Sequence, residues 1–147
     1  MKKAILKPCA ISRNAGDNAE FAVCAYENIA RVKHDSGNYM TASDLSVGER
    51  HISVKAARFS LMSGIYSNGK TTVAEILDIF MANTHSNEFV YVTKAFEAYY
   101  MNIAEFAAFV MTFCTAQRES TKNGGAVKVR CKHETKAMLE YLEAAVA

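Results

Sequence analysis

Long apolar runs are missing from this sequence: none approaches the roughly 18 residues of a membrane-spanning helix. The opening MKKAILKPCA is apolar only briefly, because Lys7 and Pro8 interrupt it, so no secretory leader is expected and the cytoplasm is the expected location. Closely spaced cysteines are also missing. Cys9, Cys24, Cys114 and Cys131 are too far apart in sequence for a zinc knuckle, and a chain of 147 residues does not need a disulfide frame. They read as free, mostly buried thiols. Internal repeats, low-complexity tracts and tryptophan are absent. What remains is half hydrophobic and 22% charged, which excludes a disordered chain. A single α+β domain over residues 1–147 is expected, with residues 1–50 as a helical N-terminal extension packed on it.

The elements follow from periodicity and from capping residues. Residues 1–16 read as an irregular arm or short edge strand broken at Pro8. DNAEFAVCAYENIARVKHDSG reads as a helix capped by Asp17 with Glu20 at N3, and Gly37 stops it. A short helical turn is expected at TASDL. HISVKAARFSLMSG is ambiguous. Ile52, Val54 and Ala56 alternate as in a strand, while Val54, Ala57, Leu61 and Ile65 fit a helix; the strand is preferred. Thr72 and Glu75 begin a clear helix with Val73, Ile76, Leu77, Phe80 and Met81 on its buried face. EFVYVTK and FEAYYM read as two strands joined by a turn wider than two residues, since Lys94-Ala95 is poor hairpin chemistry. Asn102 caps the strongest helix, with Glu105 at N3, and TKNGG ends it. AVKVRC is a short alternating strand. HETKAMLEYLEAAVA is the last helix, with Met138, Tyr141, Leu142 and Ala145 facing inward.

Over residues 52–131 this gives the order β-α-β-β-α-β, the ferredoxin-like order, with helices before and after it. A small antiparallel sheet with helices packed on it is the expected architecture.

Charge is nearly balanced overall, at 17 basic against 15 acidic side chains, but it is not evenly spread. Between residues 118 and 136, Arg118, Lys122, Lys128, Arg130, Lys132 and Lys136 face only Glu119 and Glu134. Such a segment suits phosphate groups, although a solvated face has the same composition. On the AVKVRC strand, Val127 and Val129 are expected to face the helices. Lys128 and Arg130 then face out, beside Arg58 and Ser60 of the first strand. Aromatic residues crowd between Phe89 and Phe113; if one parity of Phe89, Tyr91, Phe96 and Tyr100 joins that outer face, stacking rings stand next to cations. That combination suits single-stranded RNA or DNA. If the terminal helices cover the sheet, the rings need no ligand.

Other constellations are weaker. Residues 64–71, GIYSNGKT, match the phosphate-loop pattern, with Gly64 and Gly69 for the curl, Lys70 for the phosphates and Thr71 for magnesium. Bulky Tyr66 and the lack of a strand ending in a metal-binding Asp speak against it. A capped helix after an Asn-Gly turn explains the same residues. Residues 41–63 resemble a helix-turn-helix only if 53–63 are helical. His51 with Glu49, and His85 with Glu88, lack a third ligand for a metal, and His34 and His133 read as surface histidines. No catalytic centre, cofactor or metal is expected. The expected function is a small non-enzymatic module binding single-stranded RNA or DNA. The alternatives are a protein-interaction, assembly or inhibitor protein, for which a homodimer is one form, and a phosphate-loop-like nucleotide-binding enzyme.

Overall fold

The computed structural model describes residues 1–31, 43–61, 71–118, 127–131 and 133–147. Among them, eight strands and four helices follow one another. They are β1 (Lys2–Ile5), α1 (Ala15–Glu27), β2 (Leu45–Val47), β3 (Arg50–Ala56), β4 (Ser60–Leu61) and α2 (Val73–Asn83). Then come β5 (Glu88–Val92), β6 (Glu97–Asn102), α3 (Ile103–Phe113), β7 (Cys114–Arg118), β8 (Val127–Cys131) and α4 (Lys136–Val146). The chain is a mixed α+β domain.

Two sheets share the strands. The larger has the order β1-β6-β5-β3-β2, and the smaller β4-β8-β7. All pairs are antiparallel except β3 with β5, whose connection carries α2, as a parallel crossover requires. The ferredoxin-like order would place its four strands in one sheet. Here β3, β5 and β6 lie in the larger sheet, while β8 pairs with β4 and β7 in the smaller one. Residues 1–50 supply β1 and β2 to the larger sheet as well as α1.

Both faces of the larger sheet are covered. Alternation along β5 and β6 sends Phe89, Tyr91, Tyr99 and Met101 to one face, where they pack with α2, α3, α4 and the inner face of the smaller sheet. Val90, Val92, Ala98 and Tyr100 go to the other face, against Ala19, Ala22, Val23 and Cys24 of α1. The Phe89 and Phe106 rings lie 4.1 Å apart and within 2° of parallel, joining β5 to α3.

The local signals that define the helices differ in how far they reach. Thr72 caps α2 by accepting from the Glu75 N–H at 3.2 Å, and Asn102 with Glu105 forms a full capping box on α3. For α1 the cap is Asn14, not Asp17: its Oδ1 accepts from Gly16 N–H at 2.7 Å and Asp17 N–H at 3.2 Å. Asp17 instead occupies the first turn and pairs with Arg31 at 2.8 Å. The helix stops at Asn28, with φ of 58°, rather than continuing toward Gly37. Asn28 N–H donates to Ala25 and Ile29 N–H to Cys24, a terminating pattern that Asn supports nearly as well as Gly.

Further expectations are corrected. The end of TASDL is strand, since Leu45–Val47 pairs with β3 across a turn where Gly48 has φ of 61°. The ambiguous segment is strand over Arg50–Ala56, which removes the helix that a helix-turn-helix needs. The β5–β6 turn is indeed wide, with Phe96 at φ of 58° and its N–H donating to Thr93 at 2.9 Å. Helix α3 ends at Phe113, not at TKNGG, because Cys114–Arg118 finds a strand partner in β8. Ala145 is exposed, whereas Met138 and Leu142 are buried.

The aromatic junction between β5 and α3 gives a direct test. Phe106→Ala should lower unfolding free energy by about 3–5 kcal/mol in urea denaturation. Met111→Ala, on the exposed side of the same helix, should change it by less than about 0.5 kcal/mol.

Candidate nucleic-acid interface

The smaller sheet has a buried inner face and a polar outer face. Val127, Val129 and Cys131 are buried, and Lys128 and Arg130 alternate with them in half-buried positions on the outer face. Register places Arg130 between Ser60 of β4 and Thr115 of β7, and Lys128 opposite Gln117. Arg130 Nε donates to Ser60 Oγ at 3.4 Å. The cross-strand neighbours are therefore small and polar rather than aromatic.

Arg58 reaches the same place from the turn between β3 and β4. Phe59 N–H donates to the Ala56 carbonyl at 3.1 Å, which closes a four-residue turn with Arg58 at its third position. There Arg58 has φ of 65°, in the left-handed region where a side chain costs about 1–2 kcal/mol and where such turns favour glycine. Its guanidinium lies against His133. Nε donates to Nδ1 at 3.2 Å, and Nη2 faces Nε2 of the same ring. Arg58, Gln117, Arg130, Cys131 and His133 line a shallow pocket of about 350 Å³. None of these lining residues is acidic.

Three basic side chains elsewhere, Lys3, Arg31 and Arg50, are held by carboxylates. Arg50 lies between Glu88 at 2.7 Å and Glu27 at 3.0 Å, and both raise its already high pKa. Lys3 is held by Glu143 and Glu97, each at 2.5 Å, which likewise raise its pKa. Arg31 pairs with Glu20 and Asp17. By contrast, Arg58 and Arg130 donate to an imidazole and a hydroxyl. A planar guanidinium that is not matched to a carboxylate suits a phosphate, which offers the same bidentate geometry.

The fold thus brings together Arg58, Lys128 and Arg130. Arg118 ends the neighbouring strand β7. Lys136 begins α4, with its side chain 91% exposed and its Nζ 3.8 Å from Glu140. Lys122 and Lys132 lie outside the described residues, as do Gly64, Gly69 and Lys70 of the phosphate-loop pattern. Thr71 is exposed, immediately before the Thr72 cap. The strand ahead of that pattern, β4, pairs antiparallel with β8.

The aromatic platform expected beside the cations is not on this face. Phe89, Tyr91 and Tyr99 are at most 1% exposed and Tyr100 is 6% exposed. Alternation and helix cover place them all inside. Two pocket residues escaped sequence reasoning. Gln117 was hidden in a segment that reads as the tail of α3. His133 reads locally as a surface histidine, and no local signal links it to Arg58, 75 positions away in sequence.

Among the described residues, no group of three or more metal-ligating side chains converges, and no helix is long and apolar enough to cross a membrane. No protein-family model, curated protein or solved structure matches the chain.

The strained turn makes a prediction of its own. Arg58→Gly should be more stable than Arg58→Ala by about 1 kcal/mol in thermal melting, because glycine tolerates the left-handed backbone. An alanine variant as stable as the glycine variant would contradict the strain.

Proposed function

We propose that this chain is a small non-enzymatic module that binds single-stranded RNA or DNA by phosphate contacts on the outer face of the smaller sheet. The observation that carries this reading is the convergence of Arg58, Arg130, Gln117 and His133 on one pocket whose described lining residues include no carboxylate. The guanidinium groups supply charge-assisted donors to phosphate oxygens. Gln117 supplies an amide donor and acceptor, which suits sugar hydroxyls or base edges. A pocket this shallow takes a nucleotide unit of one strand rather than the width of a duplex. With the rings of the larger sheet buried, base stacking contributes little, so binding is dominated by charge and tolerant of sequence.

The presence of an arginine where the backbone favours glycine supports the same reading. A residue that costs stability at a turn is a candidate for a role other than folding.

Fluorescence anisotropy with a labelled single-stranded oligonucleotide tests the proposal. Affinity should fall as salt rises. The double variant Arg58→Ala/Arg130→Ala should bind at least about tenfold more weakly, with a salt slope reduced by about 1.4 for two lost phosphate contacts. Lys136→Ala should have a smaller effect, since that side chain is exposed beside Glu140. Absence of binding by the unaltered protein, or equal binding by the double variant, would refute the assignment.

A further inference from the structure

Cys114 of β7 and Cys131 of β8 stand directly opposite each other in the smaller sheet. Opposed residues in an antiparallel pair either exchange backbone hydrogen bonds or do not. Cys131 N–H donates to the Phe59 carbonyl at 2.9 Å, on the β4 side of its strand. Its peptide groups therefore point away from β7. Cys114 N–H donates to the Val110 carbonyl at the end of α3. The two cysteines thus form a non-hydrogen-bonded pair, the kind whose Cα atoms lie about 4.5 Å apart with side chains closest. Disulfides span Cα separations of about 4.4–6.8 Å, so this site accommodates one at the short end of the range.

The side chains agree with the backbone. Both are free thiols on the inner face, and they share a hydrogen bond in which the Cys114 S–H favours negative charge on the Cys131 sulfur. Cys114 is 7% exposed and Cys131 is 0% exposed, so the pair answers to a small oxidant rather than a bulky one. Cys9 and Cys24 pack in the other cluster, across the larger sheet, and cannot substitute for either partner.

We propose that Cys114 and Cys131 are a reversible redox site that a hydroperoxide closes to a cross-strand disulfide. The Cys131 sulfur, on which the hydrogen bond favours negative charge, attacks one peroxide oxygen, the O–O bond breaks, and the departing oxygen leaves as water with the thiol proton when the oxidant is hydrogen peroxide. The Cys114 sulfur then attacks the resulting sulfenic sulfur. The S–S bond forms, the S–O bond breaks, and a second water leaves with the Cys114 proton. Each sulfur loses one electron and the peroxide gains two. A dithiol reverses the change by thiol–disulfide exchange. This site does not depend on nucleic-acid binding.

The test treats the folded protein with hydrogen peroxide, alkylates it under denaturing, non-reducing conditions, and maps the peptides by mass. The expected product is lighter by two hydrogens and has two of its four cysteines protected. It contains one linked pair, Cys114 with Cys131, and dithiothreitol restores both thiols. Cys9 and Cys24 should alkylate as before. Cys114→Ala should leave Cys131 as a sulfenic acid that dimedone traps. A linkage between other cysteines would overturn the proposal. So would four alkylatable thiols at a peroxide dose that fully oxidises a free cysteine control. The mapping on the unaltered protein decides the matter even if the variant does not fold.

Discussion

Covering both faces of the five-stranded sheet is the constraint from which the rest of this molecule follows. Phe89, Tyr91, Tyr99 and Met101 need a cover on one side, and α2, α3 and α4 supply it. Val90, Val92, Ala98 and Tyr100 need one on the other, and α1 supplies that. The stacked Phe89–Phe106 pair sits where strand and helix meet. Burying rings of this size contributes more to folding than any surface contact. It also takes the aromatic side chains away from any ligand. The smaller sheet needs cover only on the face of Val127, Val129 and Cys131, and its other face carries the polar side chains.

Electrostatics then distinguishes one group of basic residues from the others. Lys3, Arg31 and Arg50 tie elements together through carboxylates that lie at most 3.0 Å away. Exposed or partly exposed pairs of this kind contribute modestly to stability, but they fix local geometry and neutralise charge. Arg58 and Arg130 instead rest on His133 and Ser60. Their positive charge is thereby kept rather than cancelled, and Arg58 is held in place by a backbone conformation that costs free energy.

Much of this was readable along the chain wherever the controlling interaction is local. Thr72 with Glu75, and Asn102 with Glu105, mark helix starts because cap and partner are three residues apart. The strict alternation of VKVRC shows which side chains of β8 face out, since a strand has a period of two. Poor hairpin chemistry at Lys94-Ala95 reveals the wide β5–β6 turn. Features set by distant partners were not readable. Cys114–Arg118 follows α3 with no breaker residue between them and becomes a strand only because β8 pairs with it. Asn14, rather than the expected Asp17, caps α1 because its extended backbone lets its Oδ1 accept from the Gly16 and Asp17 N–H groups. Likewise, the division of strands between two sheets, and the meeting of Arg58 with His133, depend on long-range packing that no local spacing encodes.

Separating charge-driven binding at the smaller sheet from base stacking on the larger one is the most direct test. A heteronuclear NMR titration with a single-stranded oligonucleotide resolves both surfaces at once. Resonances of Arg58, Ser60, Gln117, Arg130 and His133 should move together, while the ring signals of Phe89, Tyr91, Tyr99 and Phe106 stay in place. Movement of those ring signals, or perturbation confined to residues away from the Arg58–Arg130 pocket, would contradict a phosphate-binding outer face.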